Sequence, residues 1–337
     1  PKRDWSSDVC SSDLTHECHE KSSLHAALEL FDVFGFLYSK DKLAAFSDCT
    51  ELLGVELNLQ SVNSGHIKVQ NKQSRIEETV QFLDKMIEER YIAVDQMPSK
   101  LGKLQYAEAQ LWGRAGRLAL ADIRHAASLG KVTVELDVRA CKAVELLRSK
   151  LLSGRPRTIS VSKKKMPVVI FTDGSLEYDN GKRVAGIGGV CILPCGHVEI
   201  FGAEVPQEIL DDWTENDDKD HVIGLIELYA VLTALHTWSR HITLERVVVF
   251  VDNWPAVDAL VKGVSTQRTW RDLLMTFEIL DEKQQSLHWF ARVPSSSNPA
   301  DPPSRGTLSG LQFLKPFVLC ESFCPVTNKP LMQIVKE

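Results

Sequence analysis

The chain has 337 residues, of which 44% are hydrophobic and 25% charged, and its formal net charge is −6. This composition is ordinary for a globular protein, and the length suggests two domains. No apolar run reaches the roughly 18 residues that a membrane-spanning helix needs, so no membrane partner is expected. The N-terminus also lacks the charged-then-apolar pattern of a signal peptide.

The first 14 residues, PKRDWSSDVCSSDL, have neither a helical nor a strand period, and we set residues 1–14 aside as an artefactual or disordered tail. Apolar spacing then predicts a helix within 19–38, and TELLGVELNL (50–59) predicts a strand that contains a glycine. Residues 74–150 have a mostly helical pattern, interrupted by a proline and a glycine. The basic, aperiodic segment 153–166 predicts a linker.

The pattern changes after this linker. Strand and helix signals follow one another in the order β-β-β-α-β-α-α-β-loop, which predicts a mixed α/β sheet with helices against it. The segments that matter below are the strand PVVIFTDGS, the hairpin at 184–205, the apolar helix at 220–240, the strand ERVVVFVDN and the loop SSSNPADPPSRG.

Charge is distributed unevenly along the chain. Residues 67–165 contain 20 Lys and Arg against 11 Asp and Glu, whereas residues 166–337 contain 14 against 23. A basic segment beside an acidic one suits a protein that binds a polyanion with one part and metal ions with the other. A solvated helical surface would give the same imbalance, so charge alone leaves both interpretations open.

Eight cysteines include two Cys-x-x-x-Cys pairs, Cys191 with Cys195 and Cys320 with Cys324. Because no secretion signal precedes them, free thiols and an intracellular location, in cytoplasm or nucleus, are expected. The pairs are spaced more widely than in common zinc sites, so incidental or buried thiols are the favoured interpretation and a zinc site is the alternative.

Four carboxylates carry the functional argument. Asp173 follows one apolar strand and Asp252 ends another, and reactive groups collect where the strands of such sheets end. Two aspartates on neighbouring strand ends would repel each other, and a divalent cation between them would relieve that repulsion.

The other two acids each have a structural alternative. Glu227 lies beside the inner face of an otherwise apolar helix, where a carboxylate needs a partner unless it is partly exposed. Asp301 precedes Pro302 and Pro303, so it is either the N-cap of a helix or the fourth member of an acidic cluster.

The blocks FTDGS, IELYAVLTAL, VFVDN and SNPAD, in this order, resemble the ribonuclease H domain attached to the reverse transcriptases of retroelements. The resemblance implies a mixed five-stranded sheet flanked by helices over 167–310, with 311–337 as a C-terminal extension. It also implies that the four acids are catalytic and bind two Mg²⁺ ions, or Mn²⁺, and that the domain is an endonuclease that cuts the RNA strand of RNA–DNA hybrids. Hard oxygen ligands suit Mg²⁺, and two-ion hydrolysis needs no covalent nucleophile.

Substrate contacts are expected next to the acids, because small polar side chains and main-chain groups can read the 2′-hydroxyls of RNA. The candidate residues are Gly174, Ser175, Asn253 and Asn298. A capping role suits Asn253 equally well.

Glycines and tryptophans give further expectations. The glycines at 186, 188 and 189 would let an RNA strand approach the backbone closely. Trp254, Trp270 and Trp289 are expected in the core, with stacking on the substrate as the alternative.

The region before the linker resembles the end of a reverse transcriptase. FGFLYSKDKLAAFSDCTELLGVEL is similar to the end of the palm, expected over 15–66, and KLGKLQYAEAQLWGRAGRLAL to the helical thumb and connection, expected over 67–152. The polymerase signature Tyr-x-Asp-Asp does not occur, so we expect no DNA synthesis from this chain. The upstream reverse-transcriptase domain of the same polyprotein is an expected partner.

Three alternatives remain. Many ribonucleases H carry a histidine in the loop before the last aspartate; its absence here would suit a non-catalytic, nucleic-acid-binding remnant of a retroelement polyprotein. A 3′–5′ exonuclease of related fold would open with Asp-x-Glu, where this chain has Ser175 in the place of the glutamate. An integrase would more often end its acidic triad with glutamate than with Asp301. The endonuclease is preferred because all four acids are present.

Overall fold

The structure is a computed structural model. It describes residues 25–35 without 27 and 31, 47–111 without 53, 116–153 without 131, 156–161, 166–216 without 180, and 222–335. The predicted tail at 1–14 lies outside these residues, and those described between 25 and 34 are helical, as their spacing predicts. Every helix in this part of the chain is too short or too polar to span a bilayer.

Six strands lie in the upstream region: β1 Cys49–Leu52, β2 Val55–Asn58, β3 His66–Asn71, β4 Tyr91–Ala93, β5 Thr133–Glu135 and β6 Arg157–Ser160. Four of them form an antiparallel sheet in the order β1-β2-β3-β6. The single strand predicted over 50–59 is instead a hairpin, because Gly54 has a φ of +76° and turns the chain between β1 and β2. Part of the predicted linker is also a strand, since β6 pairs with β3.

Helices supply most of the upstream core. They are α1 Gln73–Glu89, α2 Met97–Leu111, α3 Arg117–Ser128 and α4 Val138–Ser153. Leu83, Ile123, Val144 and Leu147 are fully buried between these helices and the sheet. The mainly helical character of this region therefore agrees with its sequence pattern, although the sheet was not expected to extend to residue 160.

A mixed sheet flanked by helices forms the second part of the molecule, which confirms the predicted α/β class. Its strands are β7 Val168–Asp179, β8 Lys182–Ile192, β9 Val198–Glu204, β10 Arg246–Val251, β11 Leu287–Arg292 and β12 Phe317–Leu319. Their order is β11-β10-β7-β8-β9-β12, in which β7, β8 and β9 are antiparallel and β10 and β11 run parallel to β7.

The sheet has six strands rather than the five expected. The additional strand, β12, comes from the C-terminal extension and pairs in parallel with β9. Further along, the extension also pairs with β9, where Ile334 N donates to Gly202 O and Gln333 forms an antiparallel bridge with Ala203. Three apolar residues between a proline and a cysteine carry no strand period, so the sequence pattern gave no signal for β12.

The helices of this part are α5 Gln207–Asn216, α6 Val222–Thr237, α7 Ser239–Ile242, α8 Trp254–Lys262, α9 Arg268–Gln284 and α10 Asp301–Ser304. The central one, α6, is buried on nearly all sides, which explains why its sequence is apolar all round. Ile170, Ile187, Tyr229 and Trp238 are among the fully buried side chains around it.

Candidate active site

Asp173 and Asp252 are brought together by strand register. The parallel pairing of β7 with β10 ends at Thr172 opposite Val251, and each aspartate is the next residue along its chain segment: Asp173 within β7 and Asp252 directly after β10. β7 itself continues to Asp179 along β8. The prediction that Asp173 follows the end of its strand is therefore wrong. Asp173 lies at the point where β10 ends and no longer pairs with β7. The sheet opens there as it would at a strand end, because the parallel ladder stops and leaves room for the side chains.

Glu227 reaches the same point from α6. A Cβ added to Gly174 would lie 2.8 Å from Ile226 Cγ2 and 3.0 Å from Glu227 N, so only glycine lets the helix approach β7 this closely. The backbone N–H of Gly174 hydrogen bonds to the Glu227 carboxylate. Glu227 Oε2 is buried and has no hydrogen-bond partner.

The three acids form one cluster. A carboxylate oxygen from each of Asp173, Glu227 and Asp252 lies within 4.8 Å of the other two. Burial, and after it the nearby carboxylates of Asp173 and Asp252, raises the pKa of Glu227 to about 10. Burial likewise raises the pKa of Asp173 to about 6, against the lowering effect of a hydrogen bond from Ser304.

Asp173 is held by two polar side chains from the segment before and within α10. Asn298 Nδ2 donates to Asp173 Oδ1 at 3.2 Å and to Thr172 O at 2.9 Å. Ser304 Oγ donates to Asp173 Oδ2 at 2.6 Å. Both residues are buried, so Asn298, expected to contact substrate, is placed to orient an acid instead.

Asp301 lies apart from the three-acid cluster. It is the first residue of α10, whose N-cap is Ala300, so the N-cap alternative is not what the structure shows. Its Oδ1 accepts a hydrogen bond from Arg305 Nε at 3.0 Å, and Arg305 also pairs with Glu177 at 3.3 Å. Asp301 and Arg305 nevertheless line the same cavity as the three acids, with a volume of about 550 Å³.

The other predicted substrate contacts have structural partners as well. Ser175 Oγ donates to Ser304 O at 2.7 Å, and Asn253 Oδ1 accepts from Ala256 N at 3.1 Å and caps α8. Gly174, Ser175 and Asn253 all line the acidic cavity, so their contact with a substrate stays a prediction. Asn298 does not appear among the residues that line it.

The glycines of β8 serve internal packing rather than the approach of RNA. A Cβ at Gly188 would overlap Ala300 O and lie 2.5 Å from Ser304 N, and one at Gly186 would overlap Ser304 O. A Cβ at Gly189 would meet the rings of Phe201 and Trp238. The chain's own α10 therefore occupies the space that the first two glycines leave.

The tryptophans divide between core and surface. Trp270 is buried as expected, but Trp254 and Trp289 are 60% and 68% exposed, so core packing is the wrong prediction for these two. Trp254 is the first residue of α8, and Trp289 lies on the edge strand β11. A strand at an edge has one neighbour only, so a large side chain there is easily left uncovered.

Ser304 and Arg305 contact two of the acids, although neither is among the candidates that the sequence indicates. The sequence pattern predicts a loop for the segment DPPSRG and indicates no role for its side chains other than Asp301. The spacing of Asp301 and Arg305, four residues apart, is a recognisable ion-pair signal on a helix. No comparable signal marks Ser304, whose partner Asp173 is distant in sequence.

The cysteine pairs show no link to a metal site. Within the described residues, the three acids are the group whose ligand atoms come close enough to share an ion. All described cysteines are free thiols, and burial raises the pKa of Cys320 to about 12.

No family model and no curated protein matches the chain. Among solved structures, it is similar to RNase H1 from the halophilic archaeon Halobacterium salinarum NRC-1, with 16% identity over 40% of this chain and 91% of that chain and a TM-score of 0.29. LC11-RNase H1 in complex with RNA/DNA hybrid has 18% identity over 43% of this chain and 98% of that chain, with a TM-score of 0.31.

The foamy viral protease-reverse transcriptase in complex with RNA/DNA hybrid has 10% identity over 82% of this chain and 54% of that chain, with a TM-score of 0.27. At such identities and TM-scores, these likenesses establish nothing about the chemistry of this chain. Its function is therefore inferred from the acidic cluster itself.

Proposed function

We propose that residues 167–310 form a metal-dependent endonuclease domain of the ribonuclease H type, which cleaves the RNA strand of RNA–DNA hybrids. The observation that carries the proposal is the cluster of Asp173, Glu227 and Asp252, whose carboxylate oxygens lie within 4.8 Å of one another. Carboxylates this close repel one another, and two of these three are also buried. Protons or cations must neutralise such a cluster.

The donor set fits a hard divalent cation. All the ligand atoms are carboxylate oxygens, and Glu227 Oε2 is a buried oxygen that lacks a partner. Such sites suit Mg²⁺ or Mn²⁺, which bind few carboxylates and keep positions for water and phosphate. We propose that the cluster, with Asp301 on the open side of the same cavity, holds two of these ions. When bound, they supply Lewis acidity towards a phosphate and lower the pKa of bound water.

The chain's own residues hold the ligands in place. Asn298 and Ser304 fix the two oxygens of Asp173, and the Gly174 N–H fixes one oxygen of Glu227. Asn253 caps α8 and thereby fixes the turn that follows Asp252. Outer partners of this kind orient metal ligands before the metal arrives, so that little reorganisation is needed on binding.

Specificity for hybrids is proposed from the cavity lining and from the resemblance of the sequence blocks. Gly174, Ser175 and Asn253 present small polar and main-chain groups beside the acids, as recognition of 2′-hydroxyls requires. We also propose that the upstream region derives from the end of the palm, the thumb and the connection of a retroelement reverse transcriptase. The small upstream sheet followed by helices supports that interpretation.

The proposal is tested with an end-labelled RNA–DNA hybrid and the full chain, with Mg²⁺ or Mn²⁺ and with a chelator. We expect cleavage of the RNA strand that requires the metal. Asp252→Asn should reduce the rate by at least about tenfold, because losing a direct ligand should cost no less than losing an outer partner. Asp258→Asn is the matched control, since Asp258 is an exposed acid paired with Lys262 on α8.

The outcomes separate the candidate functions. Metal-dependent binding of the hybrid without cleavage would favour the nucleic-acid-binding remnant. Equal cleavage of a DNA duplex would contradict specificity for hybrids. If Asp258→Asn lost as much activity as Asp252→Asn, the acidic cluster would not be the catalytic site.

A further inference from the structure

A second groove lies between the upstream helices and the α/β domain. It has a volume of about 550 Å³ and is bounded by α3 and α4 on one side and by the start of α9 on the other. Its charged lining consists of Arg139, Lys142, Arg268, Arg271, Asp122 and Asp272. Cations therefore outnumber anions in this groove, in contrast to the acidic cavity.

One buried carboxylate organises the groove. Asp122 is 5% exposed and accepts from Arg139 Nη2 of α4 at 2.6 Å and from Arg271 Nη2 of α9. Arg271 Nη1 also donates to Ser265 O at 3.1 Å. A cation from each wall is thus fixed to the same anion, so the two walls are held at a constant separation.

The two other cations have no acidic partner among the described residues. Lys142 and Arg268 are exposed, and neither lies within ion-pair distance of a carboxylate in that part of the chain. They line the groove from opposite walls, Lys142 on α4 and Arg268 at the first position of α9. Unpaired cations on both sides of a fixed groove favour a bound polyanion.

The start of α9 lies close to both the groove and the acidic cavity. Trp270, in the first turn of α9, packs on Gly224 of α6, where an added Cβ would lie 2.8 Å from the Trp270 ring. The same position is 3.8 Å from Asn253 Oδ1, and Asn253 lines the acidic cavity. The first turn of α9 therefore contributes Arg268 and Arg271 to the groove and places Trp270 beside Gly224, next to a residue that lines the acidic cavity.

We propose that this groove binds the phosphate backbone of the nucleic acid beside the cleaved position, with Lys142 and Arg268 as the contacting residues. The proposal rests on the proposed function for the identity of the duplex. Each phosphate that a cation neutralises releases a condensed counterion, so the contacts have a measurable salt dependence. The upstream region would in this way supply part of the substrate grip of the α/β domain.

The test measures the affinity for a fluorescent RNA–DNA hybrid by anisotropy between about 0.05 and 0.3 M salt. All proteins carry Glu227→Gln, so that the duplex stays intact. Lys142→Gln with Arg268→Gln should weaken binding at low salt at least about tenfold and reduce the slope of log K against log salt by about 2. The charge-preserving pair Lys142→Arg with Arg268→Lys should keep the original slope.

A matched control neutralises two exposed lysines elsewhere. Lys315→Gln with Lys329→Gln makes the same change of charge in the C-terminal extension, at the edge of the sheet opposite β11. We expect the slope of this control to stay unchanged. An equal loss of slope in the control, or no loss in the groove variant, would overturn the proposal. So would a chain that fails to bind the duplex at low salt.

Failure of the groove and failure of the nuclease are distinguishable. Cleavage is measured separately on the chain with native Glu227. If the chain does not cleave the hybrid, but the groove variant has a smaller slope of log K against log salt, the groove proposal stands and the endonuclease proposal is refuted. If the chain cleaves the hybrid, but the groove variant keeps the original slope, the endonuclease proposal stands and the groove proposal is refuted.

Discussion

Glu227 is the residue at which burial and charge are most strongly opposed. Its side chain is 3% exposed, it lies beside two aspartates, and its pKa is raised from 4.5 to about 10. The folded state therefore holds a proton that the unfolded state releases at a much lower pH. Protons stabilise the folded chain between these two values, and the free energy of unfolding falls as pH rises through that interval.

We expect the metal-free chain to lose stability between about pH 6 and 9, by at most about 1.4 kcal/mol per pH unit. Asp173 adds to this slope only up to its own pKa of about 6. Mg²⁺ should raise the melting temperature more at the alkaline end, because it binds the deprotonated acids. Thermal unfolding with chelator or with Mg²⁺ across this range measures both effects.

Glu227→Gln provides the comparison. The amide can still accept from the Gly174 N–H and can donate to a neighbouring carboxylate, so the fold should be retained and the slope largely lost. Its response to Mg²⁺ should be weaker as well. A slope as steep as that of the native chain would show that another group titrates in this interval.

The acids of the site could be predicted from the sequence, but the residues that hydrogen bond to them could not. Asp173, Glu227 and Asp252 could be identified because a carboxylate at an opening of a sheet or within an apolar helix is unusual in local sequence. Asn298 and Ser304 carry no such mark, since their roles arise when α10 approaches β7 in the folded chain. The ion pair of Asp301 with Arg305 differs from these, because its members are four residues apart and the spacing is visible in the sequence.

Strand β8 shows how an element positions the site without contributing a ligand. Gly188 lies opposite Asp173 in the sheet, and α10 rests directly on its backbone. The close approach places Ser304 and Asn298 over Asp173, so the glycine controls the geometry of the first acid indirectly.

Gly188→Ala should destabilise the chain by about 1–3 kcal/mol, because the added methyl group overlaps backbone atoms that cannot rotate away. The shift of α10 should also weaken the hydrogen bond from Ser304 to Asp173, and hence Mg²⁺ binding. Urea unfolding and metal titration measure the two effects. Gly102→Ala is the control with the opposite sign: an added Cβ meets nothing within 4 Å in α2, so a gain of about 0.5–1 kcal/mol is expected.

Elements with a strong periodicity were predicted well from the sequence, whereas short segments were predicted poorly. The long helix α6 and the hairpin of β8 and β9 follow from their sequences, because each has many residues in one pattern. The turn at Gly54 and the three-residue strand β12 depend on a single backbone conformation and on pairing with a distant strand. Local sequence carries little information about either.

In the whole molecule, the upstream region and the α/β domain share a buried ionic contact. Lys150 Nζ of α4 lies 3.5 Å from Glu278 Oε2 of α9, and the two side chains are 2% and 4% exposed. Leu118 N also donates to Glu278 at 3.4 Å. Burial raises the pKa of Glu278, and the ammonium group of Lys150 opposes this effect.

Lys150→Met should lower the free energy of unfolding by about 3–5 kcal/mol, because it leaves a buried carboxylate without its cation. Adding Glu278→Gln should recover most of that loss, since the amide oxygen can still accept from Leu118 N. Urea denaturation of the native chain and of the single and double variants tests this. A double variant no more stable than Lys150→Met would show that the packing of the lysine stem, and not its charge, holds the two parts together.

The pairing of the C-terminal extension with β9 has a consequence for solubility. Without β12, β9 would expose a row of unpaired backbone amides and carbonyls flanked by buried, apolar residues. An exposed edge strand of this kind can pair with strands from other molecules, and natural proteins commonly cover it. The extension therefore protects the chain from intermolecular β-pairing. A chain that ends before Phe317 would have an uncovered β9 and would aggregate unless something else covered it.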